Sequence, residues 1–186
     1  MKQLSSLDAQ FLLVESPTTT GHVGAVLLLD PTSSPAGELT LDDVRDLVES
    51  RLHLAPALRE RVVEVPLGLS SPYWVEDPHF DLEYHTREVA LPQPGDAKQL
   101  AEQVSRIHAR PLDRSRPLWE MYLLHGLDGD RSALYAKFHH AAIDGIAGAE
   151  ILATILDVDA QPREVDDPAQ SWQPPPVPGA SSLLFR

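Results

Sequence analysis

Two adjacent histidines open the stretch His139-His140-Ala141-Ala142-Ile143-Asp144-Gly145, and three apolar residues separate them from an Asp-Gly pair. A neutral imidazole titrates near neutrality and can take a proton from a bound hydroxyl. Adjacent side chains on a strand point to opposite faces, so only one of His139 and His140 can face a given cavity. Asp144 lies close enough in sequence to orient a ring or to anchor the turn through an ion pair. Gly145, without a Cβ, suits a turn where backbone and ligand approach closely. A lone histidine is most often structural; this spacing is a stronger signal.

Such residues need a rigid mount. Ser132 to Phe138 is rich in apolar and β-favouring residues and reads as a strand. Ile146, Ala149, Ile151, Leu152, Ile155 and Leu156 recur at helical spacing just downstream. The histidines are therefore expected where a strand ends and a helix is about to begin, the place where an α/β fold exposes polar side chains to a cleft. Leu118 to Leu124 reads as the preceding strand, with Gly126 to Asp130 as a hairpin turn.

Earlier segments supply the rest of the scaffold. Ser5 or Ser6 caps a first helix running to about Glu15, and Leu7, Phe11, Leu12 and Val14 are its expected core contacts. Val23 to Leu29 is almost continuously apolar, the pattern of a strand buried on both faces. Thr40 and Asp43 start a helix from Leu41 to about Leu54, and Asp96 to Ala109 makes another with Leu100, Val104 and Ile107 inward. Leu58 to Pro66, Tyr73 to Val75 and Leu82 to Val89 read as extended. Arg59 and Arg61 are expected on a solvated strand face rather than on a phosphate. His79 and His85 are expected at the surface, since no metal-ligand spacing accompanies them.

The histidine stretch resembles the HHxxxDG signature of the coenzyme A-dependent acyltransferase superfamily, to which chloramphenicol acetyltransferases and peptide-synthetase condensation domains belong. Leu4-Ser5-Ser6-Leu7-Asp8-Ala9-Gln10-Phe11-Leu12, with Glu15 beyond, is similar to the opening of bacterial wax ester synthase/diacylglycerol acyltransferases. Arg116-Pro117-Leu118-Trp119-Glu120 resembles that family's PLW element; His22-Val23-Gly24 and Asp77-Pro78-His79-Phe80-Asp81-Leu82 match its wording as well. The resemblance implies a chloramphenicol acetyltransferase-like α/β two-layer sandwich, a mixed sheet with helices packed mainly on one face. It implies O-acyl transfer from a long-chain acyl-CoA to diacylglycerol or a long-chain alcohol, with His140 as general base and His139, Asp144 and Gly145 as its support. Asp144 is expected to pair with an arginine. Pro117, Leu118 and Trp119 would line a substrate channel or serve the core, and the core is favoured for Trp119. No cofactor or metal is implied, only acyl-CoA as substrate. The alternatives are a condensation-type enzyme using carrier-bound acyl groups, or a non-catalytic binding or scaffold module of the same fold.

Composition narrows the partners. Fifteen basic residues against 28 acidic ones leave a net charge of −13, which argues against nucleic acid and against polybasic attachment to anionic lipid. The absence of cysteine removes disulfides and a thiol nucleophile together, and no Gly-x-Ser-x-Gly elbow offers a serine instead. No apolar run is long enough to span a membrane and the start lacks a signal-peptide core, so a cytoplasmic protein is expected, touching the inner membrane face or lipid inclusions through another part. Residues 1–159 read as the N-terminal domain that carries the motif. Residues 160–186 are proline-rich and read as an interdomain linker ending on an unpartnered apolar patch. A C-terminal half of the same enzyme is the expected companion.

Overall fold

The computed structural model describes residues 1–16, 18–30, 37–143, 145–157, 163–168 and 170–184. In chain order the elements are β1 (Lys2–Gln3), α1 (Ser6–Leu13), β2 (His22–Leu29), α2 (Leu41–Arg51), β3 (Glu60–Val63), β4 (Tyr73–Glu76), α3 (Leu82–His85), β5 (Thr86–Ala90), α4 (Ala97–His108), β6 (Trp119–Leu127), β7 (Arg131–His139), α5 (Gly145–Ile155) and α6 (Ala180–Leu184).

The main sheet has the order β2-β7-β6-β5 and is mixed: β5 runs parallel to β6, and the other neighbours are antiparallel. A small sheet, β1-β4-β3, stands apart from it. Alternation along β7 decides what each face of the main sheet carries. Leu134, Ala136 and Phe138 join Val44 and Val48 of α2 and Ile155 of α5 in the larger core. Ala133 and Tyr135 pack with Ile107 of α4 on the opposite face. Two of the three long helices thus cover one face, as expected, and α4 covers the other.

Helix starts follow the capping residues. Ser5 caps α1, and Thr40–Asp43 and Asp96–Gln99 form reciprocal capping boxes on α2 and α4. Gly95, just ahead of α4, has φ +73°, and its carbonyl accepts the Asp128 N–H at 3.0 Å, tying the helix start to the β6–β7 turn. A Cβ there would lie 1.8 Å from the Gly126 carbonyl oxygen. Gly95→Ala is expected to cost roughly 3 kcal/mol or more, from left-handed strain and backbone overlap together. Urea unfolding of that variant should show a loss well above about 1 kcal/mol if this contact governs the turn.

Several expectations give way here. The first helix buries Leu12 but leaves Leu7 and Val14 exposed, so it is not simply a core-packing element. Among the described residues β2 pairs only with β7 and is an edge strand, with Val26 and Leu28 exposed on one side, where continuous apolarity suggested burial on both. Leu82–His85 forms one helical turn, because the Asp81 side chain accepts the N–H groups of Glu83 and Tyr84; only Thr86–Ala90 is strand. Arg59 is buried, its guanidinium donating to the Leu52 carbonyl at 3.1 Å, and Arg61 lies 3.5 Å from Asp77; neither occupies a solvated strand face. The apolar end is partnered: Leu183 packs with Val65, Tyr73 and Val75.

His85 is also not at the surface. It is fully buried between Phe80 and Trp119, whose rings stack on it at 5.4 and 4.5 Å, and its Nδ1–H donates to the Trp119 carbonyl at 2.7 Å. Burial pushes its pKa down from 6.5 to about 4, outweighing the carbonyl bond that favours the charged ring. The unfolded chain takes up this proton first as pH falls, so the stability from a neutral His85 is present above pH 6.5 and is lost between 6.5 and about 4. The loss should be of order 3 kcal/mol. Unfolding free energies at both ends of that window should differ less in His85→Gln than in the parent; equal slopes would assign the acid sensitivity elsewhere.

Candidate active site

The strand carrying the histidines ends at the main sheet's centre of polar chemistry. β7 pairs with β2 so that His139 lies opposite His22, and the His140 N–H donates to the Gly21 carbonyl at 2.6 Å. His139 therefore sits within the last ladder position, and His140 begins the turn that leads into α5.

His139 is spent on structure. Its Nδ1 accepts the Ala141 N–H at 3.0 Å, which places the proton of the neutral ring on Nε2. That Nε2 lies 3.0 Å from Oε1 of Glu15, approached obliquely to the ring N–H direction. Burial lowers the pKa of His139 even though the Glu15 charge raises it, so the ring stays neutral near pH 7. Burial also pushes the Glu15 carboxyl up, but Arg114, the Gly21 N–H and His139 together hold it below the usual range. Arg114 donates to Glu15 Oε2 at 2.8 Å and to the Leu12 carbonyl. The end of α1, the start of β2 and the segment after α4 are thus fastened to one histidine.

His140 is left differently. Phe11 of α1 lies flat against its ring, with centroids 4.0 Å apart and planes 17° from parallel. Its Nδ1 is sealed in the protein without a hydrogen-bond partner among the described residues, and the residue as a whole is partly exposed. Beside this turn a cleft of about 240 Å³ opens between Ala141, Ala142 and Ile143 on one side and Trp74, Glu60 and Lys2 on the other. Gly145 starts α5; Asp144, with its expected arginine partner, lies outside the described residues. Pro117, Leu118 and Trp119 are buried, and the Trp119 indole N–H donates to the Leu58 carbonyl at 2.7 Å.

Beneath the histidines runs a buried charge network. Lys137, fully buried, donates to the Ile107 and Arg110 carbonyls at 3.1 and 2.9 Å and pairs with Glu120 at 3.2 Å. Glu120 also pairs with Arg87 at 3.0 Å and accepts the Tyr122 hydroxyl at 2.9 Å. His22 donates through Nδ1–H to the His108 carbonyl at 2.9 Å, and His108 bonds the Tyr135 hydroxyl at 2.6 Å. Lys137, Phe11 and Arg114 were not legible as site residues. Lys137 alternates onto the same face as His139, which was the available signal.

Residues 4–183 match the family model described as wax ester synthase/diacylglycerol acyltransferase catalytic domain. The chain belongs to this family. A Mycobacterium tuberculosis relative, "Probable diacyglycerol O-acyltransferase tgs3", is 43% identical over 184 residues, covering 99% of this chain and 66% of that protein. A second from the same organism, "Putative diacyglycerol O-acyltransferase Rv3087", is 39% identical, with 99% and 38% covered. Among solved structures, the wax ester synthase/diacylglycerol acyltransferase of Marinobacter aquaeolei VT8 aligns with a TM-score of 0.66 at 34% identity over 82% of this chain and 37% of its own. A starter condensation domain of rhizomide synthetase, at TM-score 0.61 and 15% identity, shares the fold alone. The chain therefore spans about two thirds of one family member and little over a third of others. Among the described residues no helix is long and apolar enough to cross a membrane, and no cluster of His, Cys, Asp or Glu is arranged to hold a metal ion.

Proposed function

We propose that this chain supplies the histidine-bearing part of an O-acyltransferase that moves a long-chain acyl group from acyl-CoA to diacylglycerol or a long-chain alcohol. The observation that carries the reading is the division of labour in the pair. His139 is buried, with its Nδ1 taken by the Ala141 N–H and its Nε2 3.0 Å from the Glu15 carboxylate, while the His140 ring is partly exposed and stacked on Phe11. In the reaction, Nε2 of His140 takes the acceptor hydroxyl proton as that oxygen attacks the thioester carbonyl. Collapse of the tetrahedral adduct breaks the C–S bond, and the imidazolium returns the proton to the departing sulfur, giving ester and free thiol. Preorganised donors for the oxyanion and most acyl-chain contacts come from the companion half.

Residues 1–159 form the acyltransferase domain in this reading, and residues 160–186 lead to the other half, partly fastened down by Trp172 and Leu183. Trp172 donates its indole N–H to Glu76 at 2.7 Å. Any contact with a membrane or lipid inclusion is made by that other half, and the protein works on the cytoplasmic side. The test follows thiol release from a long-chain acyl-CoA with diacylglycerol and with a fatty alcohol. The 186-residue chain alone is expected to turn over little, and adding the companion half should restore transfer. Full turnover by the chain alone would overturn the division between halves; none in the combined protein with any alcohol would overturn the activity.

A further inference from the structure

Far along the chain from the histidine turn, a cavity of about 600 Å³ lies between the end of α2, the Phe80–Leu82 segment and the chain around Trp172. It shares no lining residue with the cleft beside Ala141–Ile143. Leu52, Phe80, Leu82 and Trp172 form an apolar part of its wall, with His53 half-buried at one side and Pro168 and Gln170 exposed at the edge. Glu49, Ser50 and Asp167 contribute from exposed positions and so mark the rim.

Arg59 also lines this space, and it is only 8% exposed. One terminal nitrogen donates to the Leu52 carbonyl at 3.1 Å, and the guanidinium lies 4.8 Å from the centre of the Trp172 ring. Its Nε is buried without a partner, and among the described residues no carboxylate forms an ion pair with it. Glu76, whose charge favours the Arg59 cation, already accepts the Trp172 indole N–H at 2.7 Å. A buried cation with an unsatisfied donor is costly unless an acceptor meets it. Bracing one carbonyl and one ring leaves that cost standing.

We infer that this cavity is a binding site for a small organic carboxylate with an apolar body, whose anionic end meets Arg59 and whose body lies between Phe80, Leu82 and Trp172. A single guanidinium brings one positive charge and a planar fork of donors, which balances a carboxylate monoanion better than a phosphate dianion. The volume falls within the range of small-molecule sites, and Arg59 is the buried charged group among the residues that line it.

Calorimetric titration of the 186-residue chain with octanoate, octyl phosphate and octanol tests the inference. Octanoate is expected to bind, with octyl phosphate and octanol each weaker by about tenfold or more. Arg59→Gln should weaken octanoate by about tenfold and leave octanol unchanged, since only the charge-assisted contact is removed. Should Arg59→Gln fail to fold, Ser50→Phe provides a second route: Ser50 is exposed at the rim, and a bulky ring there should block octanoate while leaving the unfolding midpoint near that of the parent. Absence of octanoate binding, equal affinity for octanoate and octanol, preference for octyl phosphate, or octanoate binding unaltered in both folded variants would each overturn it.

Discussion

His140→Ala in the complete protein is expected to lower turnover by about 10²- to 10⁴-fold while leaving stability within about 1 kcal/mol of the parent. The rate loss follows from removing the proton acceptor of the attack and the proton donor to the leaving thiolate. Stability should change little because no hydrogen bond of the ring is found among the described residues: its Nδ1 is unpartnered there, and the His140 contact with Gly21 is made by the backbone. What is lost is the stack on Phe11. His139→Ala should behave in the opposite way, since it strips the partner from the Ala141 N–H and from a half-buried Glu15 carboxylate. Thiol release and urea unfolding measured on both variants check the assignment. Parent-level turnover by His140→Ala would sink it, and a stability loss confined to His140→Ala would reverse the roles.

A second large effect lies in the charge network. Glu120→Ala is expected to cost about 3–5 kcal/mol, because it leaves Lys137 buried with no counter-charge at its ammonium. Burial lowers the Lys137 pKa, with Glu120 opposing, and burial raises the Glu120 carboxyl, with Lys137, Tyr122 and Arg87 more than reversing that. The lowered Glu120 pKa keeps that carboxylate ionised near neutral pH, and its charge opposes the loss of the Lys137 proton. Lys137→Met combined with Glu120→Leu should cost less than Glu120→Ala alone, since no charge is then stranded between them. Denaturant unfolding of the three proteins decides it; a loss under about 1 kcal/mol for Glu120→Ala would mean that the pair is not interdependent. Because the Lys137 ammonium holds the carbonyls of Ile107 and Arg110, its release should also loosen the end of α4 beneath His139 and His22.

The histidine motif could be placed from sequence because its neighbours are strongly patterned. A strand of apolar and β-favouring residues, a turn with glycines and a periodic apolar helix each signal locally, and all three stand where expected. The capping boxes at Thr40 and Asp96 were legible for the same reason: the residues that form them are three apart. His85 and Arg59 were misplaced because polarity was read as exposure. His85 is held inside by a carbonyl and two aromatic rings, and Arg59 by the Leu52 carbonyl and Trp172, partners up to 113 residues away in the chain.

The sequence by itself determined the mixed α/β class, the strand-to-helix position of the histidine pair and, through its motifs, the acyltransferase family. These depend on short-range periodicity, capping and the order of residues along one segment, all of which a linear chain displays. Tertiary structure alone decided which polar groups are buried and what each one faces. Phe11 reaches His140, Glu15 and Arg114 close on His139, and Lys137 meets Glu120 only because β2, β6 and β7 align in register and α1 and α4 pack against them. A buried charge or ring is stabilised by whatever lies across the fold from it, and that partner has no fixed distance in sequence.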